Sequence, residues 1–289
     1  MIVDSSTSPL SKAQGRGVSA PALPAGFAAA GRFVVRLLGG LLSGAAAILL
    51  LLGIWMAAWW FSGKELPAPN STIPVLWELL RNPFYNNGPN DQGIGLQVTA
   101  SLMRVFLGFT AGSLVAIPVG TIMGASPLFN RVLNPLVQLL KPVSPLAWFP
   151  LGLATLKSAQ NATIFAIFIT CLWPTLINTA FGVSSVPKEY QQVAQVFRFS
   201  RLRYFRKILL PYSLPHIITG LRLSMGVAWM VIVAGEMLSG GSGIGFWVWD
   251  SWNALNLDRV LSGILVIGMV GLLLDRFFAI ALGRLSHAD

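Results

Sequence analysis

The sequence predicts an all-α integral membrane protein with six transmembrane helices, and three observations carry that prediction. Of 289 residues, 54% are hydrophobic and 10% charged. A soluble domain carries about 25% charged residues, so most of this surface faces something other than water. The apolar residues arrive in long uncharged blocks, each reaching the roughly 20 residues that a helix needs to cross the hydrocarbon layer. Ten tryptophans are present, and several stand at block edges: Trp55, Trp59 and Trp60, then Trp247, Trp249 and Trp252. Amphipathic rings favour the headgroup layer, so these read as interface anchors.

Residues 1–33 are rich in Ser, Pro, Ala and Gly without periodicity and read as a disordered cytoplasmic tail. A signal peptide would place its charges directly before a short apolar core, whereas the first long core starts near Leu37. Residues 34–289 then form one membrane domain, with spans at about 37–60, 105–125, 132–156, 162–183, 214–238 and 260–282. Counting Lys and Arg with both termini inside gives twelve on cytoplasmic segments and five on outer ones, and the excess marks the cytoplasmic side. The outer connection 61–104 holds Pro67, Pro69, Pro74, Pro83 and Pro89 and reads as an irregular cap. The inner connection 184–213 carries six basic residues against one acid, Glu189, and its composition is helical.

Several function classes drop out. The net charge of +10 fits loops facing anionic lipid better than a nucleic-acid surface. The single cysteine, Cys171, excludes an intrachain disulfide. No His-Glu-x-x-His or Gly-x-Ser-x-Gly occurs, and the histidines, His216 and His287, suggest neither a metal centre nor catalysis. The glycine-rich segment 239–252 has no preceding strand and no Lys-Ser/Thr, so it is no phosphate loop. It reads as a turn and short helix capping the outer end. A self-contained secondary transporter is the rival class, but no internal repeat supports it.

Charges inside spans are costly and usually face protein or a wet cavity. Lys141 stands in the third span among Pro135, Pro142, Pro145 and Pro150, which predict an interrupted helix. It is either a cation on a transport route or a lysine reaching for the interface. Depth pairs the remaining charges: Arg222 with Asp275 toward the inner side, as a structural ion pair, and Arg104 with Glu236 at the outer side. Arg104 is also a candidate for the outer mouth of a pathway, and Glu236 for a residue that changes partner during gating.

The inner connection, 186–211, reads V-P-K-E-Y-Q-Q-V-A-Q-V-F-R-F-S-R-L-R-Y-F-R-K-I-L-L-P. Val193, Val196 and Phe197 share one helical face. After Ser200 a second short helix is expected, with Leu202, Phe205 and Leu209 on its buried side and Pro211 as its stop. Such a pair suits docking of another protein, the alternative being an interfacial loop without a partner.

This stretch resembles the EAA coupling loop of ABC importer permeases. Ala194 matches the last alanine, and Ile208, Leu209, Leu210 and Pro211 match the closing sequence. Arg198 stands where most members have Gly, and Gln192 and Val193 near the usual Glu-Ala; permeases of nitrate and bicarbonate importers similarly lack that Gly. Residues 101–109, 141–151, 178–183, 220–222, 234–237 and 274–275 continue the resemblance to the nitrate/sulfonate/taurine group in order.

The resemblance implies a type I permease core in a bacterial inner membrane, working as a homodimer. It also implies two cytoplasmic ATPase subunits that hold ATP and Mg, and an external solute-binding protein or domain. Contacts to the ATPase would come from Val193, Ala194, Phe197, Ser200, Leu210 and Pro211. No Gly-x-x-x-x-Gly-Lys-Ser/Thr is present, so this chain is expected to bind no cofactor and to be no enzyme. The expected cargo is a small anion. Nitrate is favoured because F-R-F-S and W-V-W-D-S-W resemble the nitrate/bicarbonate branch more than the sulfonate one, with nitrite, bicarbonate, cyanate, taurine and alkyl sulfonates as alternatives.

Overall fold

The computed structural model describes residues 25–88 and 91–285. The first 24 residues of the expected tail lie outside them. Helix α1, Ala25–Phe61, begins inside the region predicted to be disordered, where the run Ala28–Ala30 is fully compatible with helix. Its apolar stretch Leu42–Phe61 is long enough to span a membrane. Helix α1 belongs to one compact unit, and the described residues after Phe61 belong to a second.

The second unit is built on three long helices: α3 (Ile94–Ala125), α6 (Ala159–Ser184) and α9 (Leu210–Ser239). Helix α3 carries Gly108, Gly112, Ala116, Gly120 and Gly124, one small residue every fourth position. That spacing keeps them on one face. A Cβ on Gly112 would stand 2.8 Å from the Phe168 carbonyl oxygen, and one on Gly120 2.6 Å from that of Leu176. The α3 and α6 backbones therefore run parallel and nearly touch. Lipid offers no hydrophobic drive for helix pairing, so close backbone packing of this kind supplies it. Helix α9 runs antiparallel to α6, with Thr175 Oγ1 2.7 Å from Ser224 Oγ and Ser224 Oγ donating to the Cys171 carbonyl at 2.8 Å. Helix α11 (Leu257–Leu285) runs back along α9, and Trp229 Nε1 donates across to the Ile267 carbonyl at 3.0 Å.

The third span is interrupted, as its prolines predict: α4 (Pro127–Leu140), a 3₁₀ turn (Pro145–Trp148) and α5 (Phe149–Leu156) follow one another with a 95° bend. Proline disfavours helical backbone in the residue before it, and Ser144, preceding Pro145, has ψ 131°. Five helices among the described residues are long and apolar enough to cross a membrane, six if the bent pair is one span.

The outer connection is not irregular throughout, because Pro69–Arg81 forms α2. Pro69 occupies the first turn, where its missing N–H costs nothing. Ser71 and Thr72 both donate to Asp258 Oδ1 on α11, at 2.8 and 2.9 Å.

Finally, Pro211 does not stop a helix. Helix α8 (Arg201–Tyr204) continues through a π-helical turn (Phe205–Leu209) into α9. The Leu210 N–H reaches back to the Phe205 carbonyl, a widened turn that accommodates the donor missing at Pro211.

The short capping helix is present as α10, Ile244–Asn253, preceded by Gly240, Gly241 and Gly243 at φ 70°, 92° and 116°.

Candidate functional site

At the end of the bundle where α3 starts and α9 finishes, Gln97, Ser101 and Arg104 follow one another at intervals of four and three. They therefore share one face of α3. Glu236, in the last turn of α9, is wholly buried against that face. Arg104 Nη1 stands 2.6 Å from Glu236 Oε1, and Ser101 Oγ is 2.8 Å from each carboxylate oxygen. The Gly245 N–H, in the first turn of α10, donates to Oε2 at 3.0 Å. Its placement sets the carboxylate against the positive end of the α10 dipole.

The glycine turn completes the arrangement. Arg104 donates to the Ser242 carbonyl at 2.9 Å and to Ser242 Oγ at 2.7 Å. The Gly243 N–H donates to Gln97 Oε1 at 2.6 Å, and the Ile244 N–H to Ser101 Oγ at 2.9 Å. Only glycine fits at 243: its φ is 116°, and a Cβ there would fall onto the Glu236 carboxylate. Arg104 is not sealed in. Its side chain is 11% exposed, and it borders a cavity of about 430 Å³ with Asn86, Gln92, Thr99 and Gln160.

Arg222 and Asp275 meet through two parallel hydrogen bonds, Nε to Oδ1 and Nη2 to Oδ2, both 2.7 Å. Within the single chain the side chains are 46% and 49% exposed, so the pair is open rather than enclosed. It borders a cavity of about 700 Å³ with Thr219, Gly226 and Met230.

Beyond the far end of α6 lies α7, Lys188–Val196. Ala194 is buried, while Val193, Val196 and Phe197 are exposed as one apolar face. The helix ends in a complete Schellman motif: the Arg198 N–H donates to the Gln195 carbonyl at 3.0 Å, and the Phe199 N–H to that of Ala194 at 2.8 Å. Arg198 has φ 48°, the left-handed backbone that glycine adopts without cost. That is the physical reason a glycine is expected at this position. Ser200 then caps α8 by accepting from the Arg203 N–H at 3.3 Å. Leu209 is the buried residue of the second helix; Leu202, expected inside, is exposed, as is Phe205 to a lesser degree. Leu210 is half-buried and Pro211 exposed. A cavity of about 840 Å³ lies under this segment, bordered by Asn130, Gln191, Ala194, Arg198 and Tyr204.

Residues 101–287 match the family of binding-protein-dependent transport system inner membrane components. The chain belongs to that family. It is an inner-membrane permease of an ABC importer, a non-catalytic transport subunit that works with ATPase and binding-protein components. The permease is 43% identical over 235 residues to the nitrate import permease protein NrtB of a Synechocystis species, covering 81% of this chain and 86% of that one. Its identity to the bicarbonate transport system permease protein CmpB of Synechococcus elongatus is also 43%, over 245 residues, with 84% and 88% covered. A solved chain of the MetNI methionine ABC transporter shares the fold, with a TM-score of 0.60 at 13% identity, covering 66% of the permease and 95% of that chain.

Not every residue singled out in the sequence joins a cluster. The permease places Lys141 at the end of α4, exposed at the bend, its N–H donating to the Val137 carbonyl at 2.9 Å. No salt bridge among the described residues involves it. Gln97, Ser101, Ser242 and the Gly245 N–H are not among the site residues expected from the sequence. A signal existed for the first two: with Arg104 they repeat polar residues at helical spacing at the start of an apolar span. Among the described residues no group of side chains is arranged to hold a metal.

Proposed function

We propose that the permease translocates a small monovalent anion, nitrate in the first place, into the cell. It does so as a homodimer driven by two ATPase subunits that bind ATP and Mg, with an external solute-binding protein delivering the anion. Both termini are cytoplasmic in this reading, and the ATPase docks on the segment from α7 to Pro211. The observation that carries the proposal is the 43% identity to a nitrate import permease across four-fifths of the chain.

The geometry supports an anion. A partly exposed Arg104 borders a cavity with four neutral polar side chains, and an anion shedding its hydration needs such donors and positive charge. Lys141 serves the inner half of the same route, because broken helix at membrane depth is tolerated only beside protein or water. Bicarbonate is the second reading, favoured by equal identity to a bicarbonate permease. Nitrate and bicarbonate share charge and planar shape, so a site built for one admits the other.

The test is uptake of labelled nitrate and bicarbonate by proteoliposomes holding the permease with its cognate ATPase and binding protein. ATP-dependent nitrate uptake exceeding bicarbonate uptake is expected. Uptake of neither anion, with hydrolysis stimulated by an uncharged solute, would refute the proposal.

A further inference from the structure

The Arg104–Glu236 cluster is more elaborate than an ion pair requires. A guanidinium N–H, a hydroxyl and a backbone N–H at the start of α10 converge on one carboxylate, at 2.6, 2.8 and 3.0 Å. All belong to residues that are buried or nearly so, and the turn that supplies the backbone donor is shaped by a glycine whose Cβ would collide with the carboxylate. These donors form a fitted receptor for a planar group with one negative charge and two oxygens. Its one cation also borders the 430 Å³ cavity, so Arg104 is addressed from two sides. Glu236 holds it from within, and whatever enters the cavity meets it from without.

We propose that the Glu236 carboxylate is a tethered stand-in for the transported anion, and that the two compete for the Arg104 cradle. The inference rests on the anion reading above and deepens it. Charge balance makes the occupants exclusive. One guanidinium compensates one negative charge, and a second anion beside Glu236 would leave a net charge buried in a low-dielectric site. Entry of a nitrate or bicarbonate ion therefore weakens the hold of Arg104 and Gly245 on Glu236. Those bonds fasten the end of α9 and the 240–243 turn to α3, so the cargo itself loosens this end of the bundle. Without cargo, Glu236 fills the cradle and the bundle end stays fastened. Such an arrangement ties opening to the presence of an anion of the right shape.

The experiment compares nitrate binding to the permease–ATPase complex in nanodiscs for wild type, Glu236→Gln, and Glu236→Gln with Arg104→Gln, by titration calorimetry. Glutamine keeps the size and one acceptor oxygen but removes the competing charge. The expected result is a Kd at least tenfold lower in Glu236→Gln than in wild type, with the gain abolished by the second substitution. Gly243→Ala provides an independent perturbation, keeping the charge while its added methyl displaces the carboxylate, and is expected to tighten binding in the same direction. Should Glu236→Gln fail to assemble, the comparison is read on Gly243→Ala. Unchanged or weaker nitrate binding in the variants, while the wild-type complex still takes up nitrate or bicarbonate, overturns the competition and leaves the anion reading standing. A wild-type complex that takes up neither anion overturns both.

Discussion

Adding one methyl group at Gly120 tests whether backbone contact between α3 and α6 holds the bundle together. The new Cβ of Gly120→Ala would sit 2.6 Å from the Leu176 carbonyl oxygen and 2.9 Å from Thr179 Cβ. That is roughly 0.8 Å inside ordinary van der Waals contact, and neither neighbour is the free end of a flexible chain. The helices must part. A gap of 0.5–1 Å forfeits about a quarter to a half of each dispersion contact, worth about 0.1–0.2 kcal/mol per atom pair. The stripe from Gly108 to Gly124 loses some tens of such contacts, which gives a cost of about 2 kcal/mol, within the usual 1–3 kcal/mol for overpacking. Gly226→Ala in α9 is the internal control: nothing lies within 4 Å of its added Cβ, and alanine gains about 0.5–1 kcal/mol over glycine in a helix. Unfolding of the purified permease in mixed detergent micelles should rank Gly226→Ala at or above wild type and Gly120→Ala clearly below it. Equal stability of the two variants would refute backbone contact as the source of the pairing.

Arg198→Gly should stabilise the turn after α7 by about 1 kcal/mol relative to Arg198→Ala, because only glycine relieves left-handed backbone; indistinguishable melting of the two would contradict that conformation. Phe197→Asp, at a side chain 68% exposed, should leave the permease folded yet abolish transport-stimulated ATP hydrolysis, and normal coupling would remove the α7 face from the docking surface. Asp258→Ala removes the acceptor of Ser71 and Thr72 and should cost about 1–2 kcal/mol. Limited proteolysis reads it as faster cleavage between 62 and 93, and unchanged cleavage would mean that α2 is held by packing alone.

Features that depend on composition over a long window were legible in the sequence. Uncharged blocks mark the long helices because lipid tolerates little else, and matched depth brings Arg104 to Glu236 and Arg222 to Asp275. What escaped are features decided by single contacts. Gln97 and Ser101 hardly disturb the hydropathy of α3, so their convergence on Glu236 is invisible until α9 and the glycine turn are in place. The proline count of the 61–104 connection concealed α2, because composition does not distinguish a proline in a first helical turn from one in a loop. Pro211 misled for a similar reason: the widened turn that absorbs it is a backbone adjustment with no residue signature. The openness of Arg222 and Asp275 is set by which neighbours leave that side of α9 uncovered, and sequence depth carries no information on that.

The continuity of the chain from Arg201 to Ser239 has a mechanical meaning. At 1.5 Å per residue, these 39 residues make a rod roughly 55–60 Å long, with the basic segment at one end and Glu236 at the other. A shove at Arg201 need not pass from side chain to side chain to be felt at Glu236, because one continuous helical backbone joins the two. The π turn at Phe205–Leu209 is then the rod's joint, a stretch where the regular helical bonding is already widened. Stiffness beyond it and compliance within it set how much of a displacement at Arg201 reaches Glu236 and how much is lost in bending.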